Sequence, residues 1–537
     1  MCGRIGRINE KQHVYAYLVT PKVITKIGLE MGTEAATERR VGHYIGERLK
    51  EVGVDAFYCV PGDACVGLLE DLEQVEGLAM VNCSNELVAG YAADGHARGA
   101  GVGALVLTYN VGSLSGLNAI AGAFAEDLPL VVICGLPSTA FSVSEKLLHH
   151  SLGPPDKLQQ RRILREVSDS SVLISDPLNN HGQIDGAILS SIHQRKPVCI
   201  EVPSNVATVS SSALCKQPQL SLHQSFAVDH AALRNALDDT MALLSSSHSP
   251  AIVVGPRIPS PSILDTKRFE SKLEDLAHAL DASVLCQPDA KGVFPESNSN
   301  HFHGIVWDDL SIPHKHVHET LRSSDAFVLL GLRLSDSNTL GLFALPHVPS
   351  EKTVHVDLES VSLYGTRFYS HGVQMEAFVS ALIERLQSHK RSSRHVHHVA
   401  ANEELTLPDP SKPLDVEGYR RVLQSLLNNE SSSSEISSLL IDTGDAWFNC
   451  AKLRLPRGVK FHQQLSYCSI GWSIGATLGF AKAREQEGKR SLCVIGDGAA
   501  QMTIQGISDL IRFVQRPKPI VFVLNNSSYG VRIPRAA

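Results

Sequence analysis

At 537 residues the chain is too long for one hydrophobic core, since cores stop growing near about 250–300 residues, so roughly two to four domains are expected. Apolar residues make up 43% and charged residues 20%, which excludes a disordered or fibrous chain. A net charge of −7 without a long basic run excludes an electrostatic footprint for nucleic acid, and no stretch approaches the roughly 18–20 apolar residues of a bilayer-spanning helix.

Residues 1–38 form an N-terminal extension. It is mildly basic, contains Glu10 and lacks both Ser richness and the apolar core of a signal peptide, so a weak organelle address and translation from Met31 both stay open. From Val41 apolar runs alternate with amphipathic stretches, the pattern of helices crossing between parallel strands. The first block, 39–208, has predicted strands at 56–60, 78–83, 104–109, 130–135 and 197–203. A Ser-rich linker at 209–227 leads to a second block, 228–386, with predicted strands at 251–255, 283–287, 326–331 and 353–357.

Residues 387–413 are polar, His-rich and Pro-terminated. They are read as a second linker rather than a metal site, because no matching ligands flank them. The third block, 414–537, has predicted strands at 439–444, 492–497 and 520–526. Continuous Val/Ile/Leu runs suit strands buried on both faces, so three doubly wound α/β domains with parallel sheets are expected. In such sheets ligands sit beyond the carboxyl ends of the strands, which directs attention to the residues following each run. The eleven cysteines are scattered singly, without CxxC pairs or metal-type spacing, and read as reduced thiols of a cytoplasmic protein.

After the strand LCVIG come Gly496-Asp497-Gly498, a helix-like segment, the strand IVFVL and Asn525-Asn526. Glycines before a helix start let backbone N–H groups close on phosphates. A hard cation such as Mg²⁺ takes carboxylate, amide and carbonyl oxygens alongside phosphate oxygens. Alone, a glycine-flanked Asp after a strand is only a turn. The Asn pair, and Gln501-Met502-Thr503-Ile504-Gln505 between, make the pattern specific. Upstream lie Asp442-Thr443-Gly444-Asp445-Ala446-Trp447-Phe448 and Ser469-Ile470-Gly471-Trp472-Ser473-Ile474-Gly475-Ala476.

The first block carries Pro61-Gly62-Asp63, then Asn82-Cys83-Ser84-Asn85-Glu86-Leu87 before AGYAADGHAR, and Leu148-His149-His150-Ser151-Leu152-Gly153. By itself a His pair is more often a surface turn than a proton relay.

Together these segments, spread from Arg39 to Tyr529, resemble the thiamine diphosphate-dependent 2-oxo acid decarboxylases, the pyruvate decarboxylases in particular. The resemblance implies that Mg²⁺ is held by Asp497, the Asn526 side chain and the Ser528 carbonyl. Thr443, Asp445, Ser469, Gly496, Gly498, Asp497 and Asn526 would meet thiamine diphosphate, and Ile470 would wedge beneath it. Glu86 would hydrogen-bond the coenzyme's pyrimidine ring. A carboxyl shielded from water has a raised pKa, which suits it to exchange a proton there. Asp63, His149 and His150 would supply the later protons, imidazoles being able to relay them near neutral pH.

The implied reaction is non-oxidative decarboxylation of pyruvate to acetaldehyde and CO₂. Indolepyruvate- and phenylpyruvate-type decarboxylases share these motifs. The implied assembly is a homodimer or homotetramer, with Glu86 and Asp497 of different chains completing one site. An FAD or nucleotide site in the middle block is disfavoured, because no GxGxxG follows a strand there and Gly331-Leu332-Arg333-Leu334-Ser335-Asp336-Ser337-Asn338 matches the decarboxylases instead.

Several positions depart from the family. Asp442 replaces a glutamate, Cys468 and Ser528 replace glycines, and Gly506 replaces an acidic residue. Arg532 stands where the family has a glutamate over the substrate, and the chain stops at Ala537. The third domain is therefore expected to be incomplete, and a catalytically impaired pseudoenzyme subunit is the competing expectation.

Overall fold

The computed structural model describes residues 38–525, apart from 142–145, 154–157, 177–180, 216, 223–228, 260–267, 298, 371, 389–406, 410, 412–413 and 429–435. Three α/β layers follow in chain order. The first has a parallel sheet of β1 (Ala56–Cys59), β2 (Ala79–Asn82), β3 (Gly103–Leu107), β4 (Leu130–Leu136), β5 (Ser170–Leu173) and β6 (Pro197–Pro203), in the order β2-β1-β3-β4-β6-β5. Its helices include α1 (Val41–Glu51), α2 (Glu86–Ala100), α3 (Val111–Ala125), α4 (Gln159–Arg165) and α5 (His181–Gln194). The inner strands are wholly buried, which is why they read as unbroken apolar runs. β5 had no such signal, because SSVL lies at the edge and is only half-buried.

The second sheet contains β7 (Pro250–Val254), β8 (Ser283–Cys286), β9 (Phe302–Ile305), β10 (Ala326–Leu330), β11 (Thr353–Asp357), β12 (Ser360–Leu363) and β13 (Arg367–Ser370), in the order β9-β8-β7-β10-β11-β12-β13. Here the all-parallel expectation needs correcting. β11, β12 and β13 pair antiparallel, because the connections between them are too short for a crossover helix. α6 (His230–Ser245), α7 (Arg268–Leu280) and α8 (Met375–Ser388) flank this sheet.

The third sheet is parallel: β14 (Ile436–Ile441), β15 (Lys460–Gln463), β16 (Arg490–Gly496) and β17 (Ile520–Leu524), in the order β15-β14-β16-β17. With it come α9 (Val416–Asn428), α10 (Asp445–Cys450), α11 (Trp472–Ala483), α12 (Asp497–Thr503) and α13 (Gly506–Phe513). The apolar run of β17 predicts a strand buried on both faces. It is the outer strand of the described sheet and only half-buried, with Val523 exposed.

The first and third layers meet through α2 and α11, whose backbones nearly touch. A Cβ at Gly479 would lie 1.7 Å from the Ala92 carbonyl oxygen, and one at Gly95 would lie 2.0 Å from that of Ala476. The small residues of GYAADG and of GWSIGATLG thus permit a helix crossing that no larger side chain would allow. A buried polar contact spans the crossing: Trp472 Nε1 of α11 donates to Asp94 Oδ1 of α2 at 3.0 Å, the same oxygen that accepts Arg98 Nε within α2 at 2.7 Å, while the Tyr58 hydroxyl of β1 meets His96 Nδ1 of α2 at 3.0 Å.

Candidate active site

In the first sheet the strand order reverses between β1 and β3, and the crevice beyond the carboxyl ends at such a point is where α/β sheets bind ligands. β1 runs out into Pro61-Gly62-Asp63. Gly62 is required here, since a Cβ would fall 2.5 Å from that of Thr108 at the end of β3. Asp63 Oδ1 accepts the Ala64 N–H at 2.9 Å, Oδ2 is paired with His149 Nε2, and His150 Nε2 lies 3.7 Å from Oδ1. The two imidazoles lie 4.5 Å apart between ring centres, tilted at 58° to each other.

Partial burial pushes the Asp63 carboxyl upward. The His149 hydrogen bond, the Ala64 N–H and the charges of both imidazoles outweigh it and hold the group below the usual carboxylate range. The three residues, far apart in sequence, thus form one cluster that can hold and pass protons. Glu86 is the first residue of α2, half-buried behind the N-cap Asn85, whose side chain accepts the Val88 N–H at 2.8 Å. Its Oε1 sits 3.5 Å from where a Cβ of Gly112 would be, so the glycine at the start of α3 leaves space beside this carboxyl.

The third sheet reverses its order between β14 and β16. At the carboxyl ends of these strands stand Asp442–Asp445 and Gly496–Gly498, two of the segments singled out in the sequence. Nothing lies within 4 Å of a Cβ built on Gly444 or on Gly496, so the space above both loops is open. Asp497 opens α12, half-buried beside that space. Open glycine loops at a switch point, with a carboxylate beside them, fit a diphosphate with its cation. Asn526, Ser528 and Arg532 lie outside the described residues.

Asp442 does something the sequence did not reveal. It is 1% exposed and clamps the Ser469–Ser473 turn, accepting N–H groups of Gly471 at 3.0 Å, Ser473 at 2.8 Å and Thr443 at 3.0 Å. Burial raises its pKa although those N–H groups pull the other way. From the far side Thr503 Oγ1 donates to the Gly471 carbonyl at 2.6 Å. Ile470 is half-buried and packs against a cluster that includes Val88, Ile474 and Ala499. Ser469 Oγ, expected on the coenzyme, meets the Tyr91 hydroxyl at 2.5 Å and accepts from Asn118 Nδ2 at 2.8 Å. Tyr91 and Asn118 meet Ser469 across 378 and 351 positions, which no local pattern shows, and the clamp joins Asp442 to Gly471 and Ser473, 29 and 31 positions on, only once β14 and α11 are packed together.

The N-terminal, central and C-terminal domain descriptions of thiamine pyrophosphate enzymes match residues 39–159, 237–386 and 442–532. Pyruvate decarboxylase 3 of Arabidopsis thaliana is 35% identical over 504 residues, covering 94% of this chain and 81% of that protein. The chain belongs to the thiamine diphosphate-dependent 2-oxo acid decarboxylase family. Another member, pyruvate decarboxylase 3 of Oryza sativa subsp. indica, is 35% identical over 92% of this chain and 81% of its own length. The solved thiamine diphosphate-dependent 4-hydroxybenzoylformate decarboxylase of Rhodococcus jostii shares the decarboxylase fold, with a TM-score of 0.69 over 92% of this chain and 87% of that one at 18% identity.

Proposed function

We propose that this decarboxylase converts pyruvate to acetaldehyde and CO₂ with thiamine diphosphate and Mg²⁺. The observation that carries the reading is the Asp63 carboxylate set between His149 and His150 at the carboxyl edge of the first sheet. Thiamine diphosphate supplies the electron sink for the bond broken when CO₂ leaves. The protein's part is positioning and proton supply. Glu86 exchanges a proton with the pyrimidine ring, and Asp63, His149 and His150 deliver protons to the product. Asp497, with the Asn526 side chain and the Ser528 carbonyl, would hold Mg²⁺. Thr443, Asp445, Ser469, Gly496 and Gly498 would line the coenzyme, and Ile470 would pack against it.

A homodimer or homotetramer is part of the same reading. Leu147 and Leu152 beside the histidines, and Met502, Ile504 and Ile511 of the third layer, are exposed apolar side chains in the single chain, as a subunit interface requires. A cytoplasmic location is supported by ten cysteines among the described residues, all free thiols. No described helix is long and apolar enough to cross a membrane.

Pyruvate is favoured over an aromatic 2-oxo acid because the curated relatives described above are pyruvate decarboxylases. The test couples acetaldehyde release to NADH oxidation by added alcohol dehydrogenase, with thiamine diphosphate and Mg²⁺ present. CO₂ release from indolepyruvate and 4-hydroxybenzoylformate is measured in parallel. Glu86→Gln is expected to lower kcat at least about a hundredfold, the lower end of the usual range for a positioned acid–base group. Equal rates for variant and wild type refute the role of Glu86. Turnover of the aromatic acids alone moves the substrate to that class, and turnover of none leaves the pseudoenzyme reading.

A further inference from the structure

The segment carrying His149 and His150 is coil, and beside the contacts of its imidazoles with Asp63 a hydrogen bond to its backbone joins it to the domain. Asn110 Nδ2 donates to the His150 carbonyl at 2.8 Å. His150 itself sits at φ +64° and Asn110 at φ +50°, a region that non-glycine residues occupy only when their surroundings hold them there. What holds Asn110 lies behind it. Its backbone N–H donates to Gln160 Oε1 at 2.6 Å, and the same oxygen accepts the Ser113 hydroxyl at 2.8 Å. Gln160 Nε2 donates to Glu201 Oε1 at 3.3 Å, and the other oxygen of Glu201 accepts the Ser171 hydroxyl at 3.2 Å with Arg161 Nε 3.4 Å away. Gln160 is fully buried and Glu201 is 1% exposed. The amide orientation is set by its partners, since its oxygen faces two donors and its nitrogen faces a carboxylate.

We infer that Gln160 is a positioning residue for the proton-transfer pair: through Asn110 it holds the His150 carbonyl and so aims both imidazoles at Asp63. Gln160 touches neither imidazole. It joins the start of α4 to the start of α3 and to β6, and the strained conformation of Asn110 is the link that transmits this to the histidine segment. The catalytic consequence rests on the decarboxylase reading given above, whereas the geometric consequence does not.

The test uses the full chain and two substitutions. Gln160→Met keeps approximately the volume but removes both polar ends, and Gln160→Glu keeps the oxygen that receives Asn110 and Ser113 while losing the donor to Glu201. Hydrogen exchange read by mass spectrometry on peptides spanning 146–153 is expected to quicken at least tenfold in Gln160→Met, with β4 and β6 unchanged, and to quicken less in Gln160→Glu. Under saturating coenzyme, kcat is expected to fall about tenfold in Gln160→Met with the dissociation constant for thiamine diphosphate unchanged, and to recover partly in Gln160→Glu.

Exchange confined to wild-type rates at 146–153, or quickened equally across β4 and β6, overturns the inference, because the residue then either holds nothing or merely stabilises the whole domain. Quickened exchange at 146–153 with unchanged kcat overturns the catalytic consequence. A wild-type chain that turns over no 2-oxo acid removes the functional reading, and the exchange measurement still decides whether Gln160 positions the segment.

Discussion

Asp442 is buried at the carboxyl end of β14, and its contacts allow the effect of removing it to be worked out. Its carboxylate accepts the N–H groups of Gly471 and Ser473 at the start of α11, as well as its neighbour's, from a site 1% exposed. Asp442→Ala strips the acceptor from two donors at a helix N-terminus, and a buried donor left unsatisfied costs about 1–3 kcal/mol. Against this, the wild-type carboxylate is itself strained by burial, as its raised pKa shows, so part of that cost is recovered when it is removed. A net loss of about 2–4 kcal/mol follows. Asp442→Asn keeps the shape and one acceptor and should lose about half as much. The Ser469–Gly471 turn would loosen in step, and each 1.4 kcal/mol passed on to the coenzyme site is tenfold in affinity. Melting temperature and a thiamine diphosphate titration followed by tryptophan fluorescence measure both effects. A melting temperature for Asp442→Ala within a degree of wild type, with coenzyme affinity within twofold, would show that the clamp is not needed.

Two further outcomes follow from the crossing of α2 and α11. Gly479→Ala places a methyl 1.7 Å from the Ala92 carbonyl oxygen, so the helices must part; overpacking of this kind costs about 1–3 kcal/mol or more, and thermal melting should show a clear drop. A wild-type melting temperature for this variant would mean that the helices do not approach so closely in solution. His96, fully buried against Tyr58, has its pKa pushed down to about 3 by burial and, secondarily, by Lys482. Its folded pKa lies below the unfolded value of about 6.5, so its contribution is present above pH 6.5 and is lost as pH falls through about 3. Urea melts between pH 7 and 4 should therefore show His96→Gln losing less stability than wild type on acidification. Parallel losses in the two proteins would place this imidazole in contact with water.

The three-layer α/β architecture was legible in the sequence because strands buried on both faces must be continuously apolar, as AFYC, ALVL and LVVIC are. Several edge strands escaped that reading. SSVL and KFHQ need only one covered face, and the hairpin of β12 and β13 follows from short connections rather than from composition. The candidate chemistry was equally legible residue by residue, since Asp63, Glu86, His149, His150 and Asp497 stand in recognisable segments immediately after strands or beside turns.

What the linear order could not contain was which of these groups touch, and what holds them in place. Asp63 finds His149 across 86 positions, Gln160 finds Asn110 across 50, and Ser469 finds Tyr91 across 378. The first two depend on the strand order of the first sheet and the third on the close crossing of α2 and α11, properties of the folded whole. Local sequence determines which side chains lie at the carboxyl ends of the strands, because hydrophobic burial places the strands. Packing alone decides how those side chains face one another, because hydrogen bonds a few ångströms long are set by the positions of elements distant in the chain.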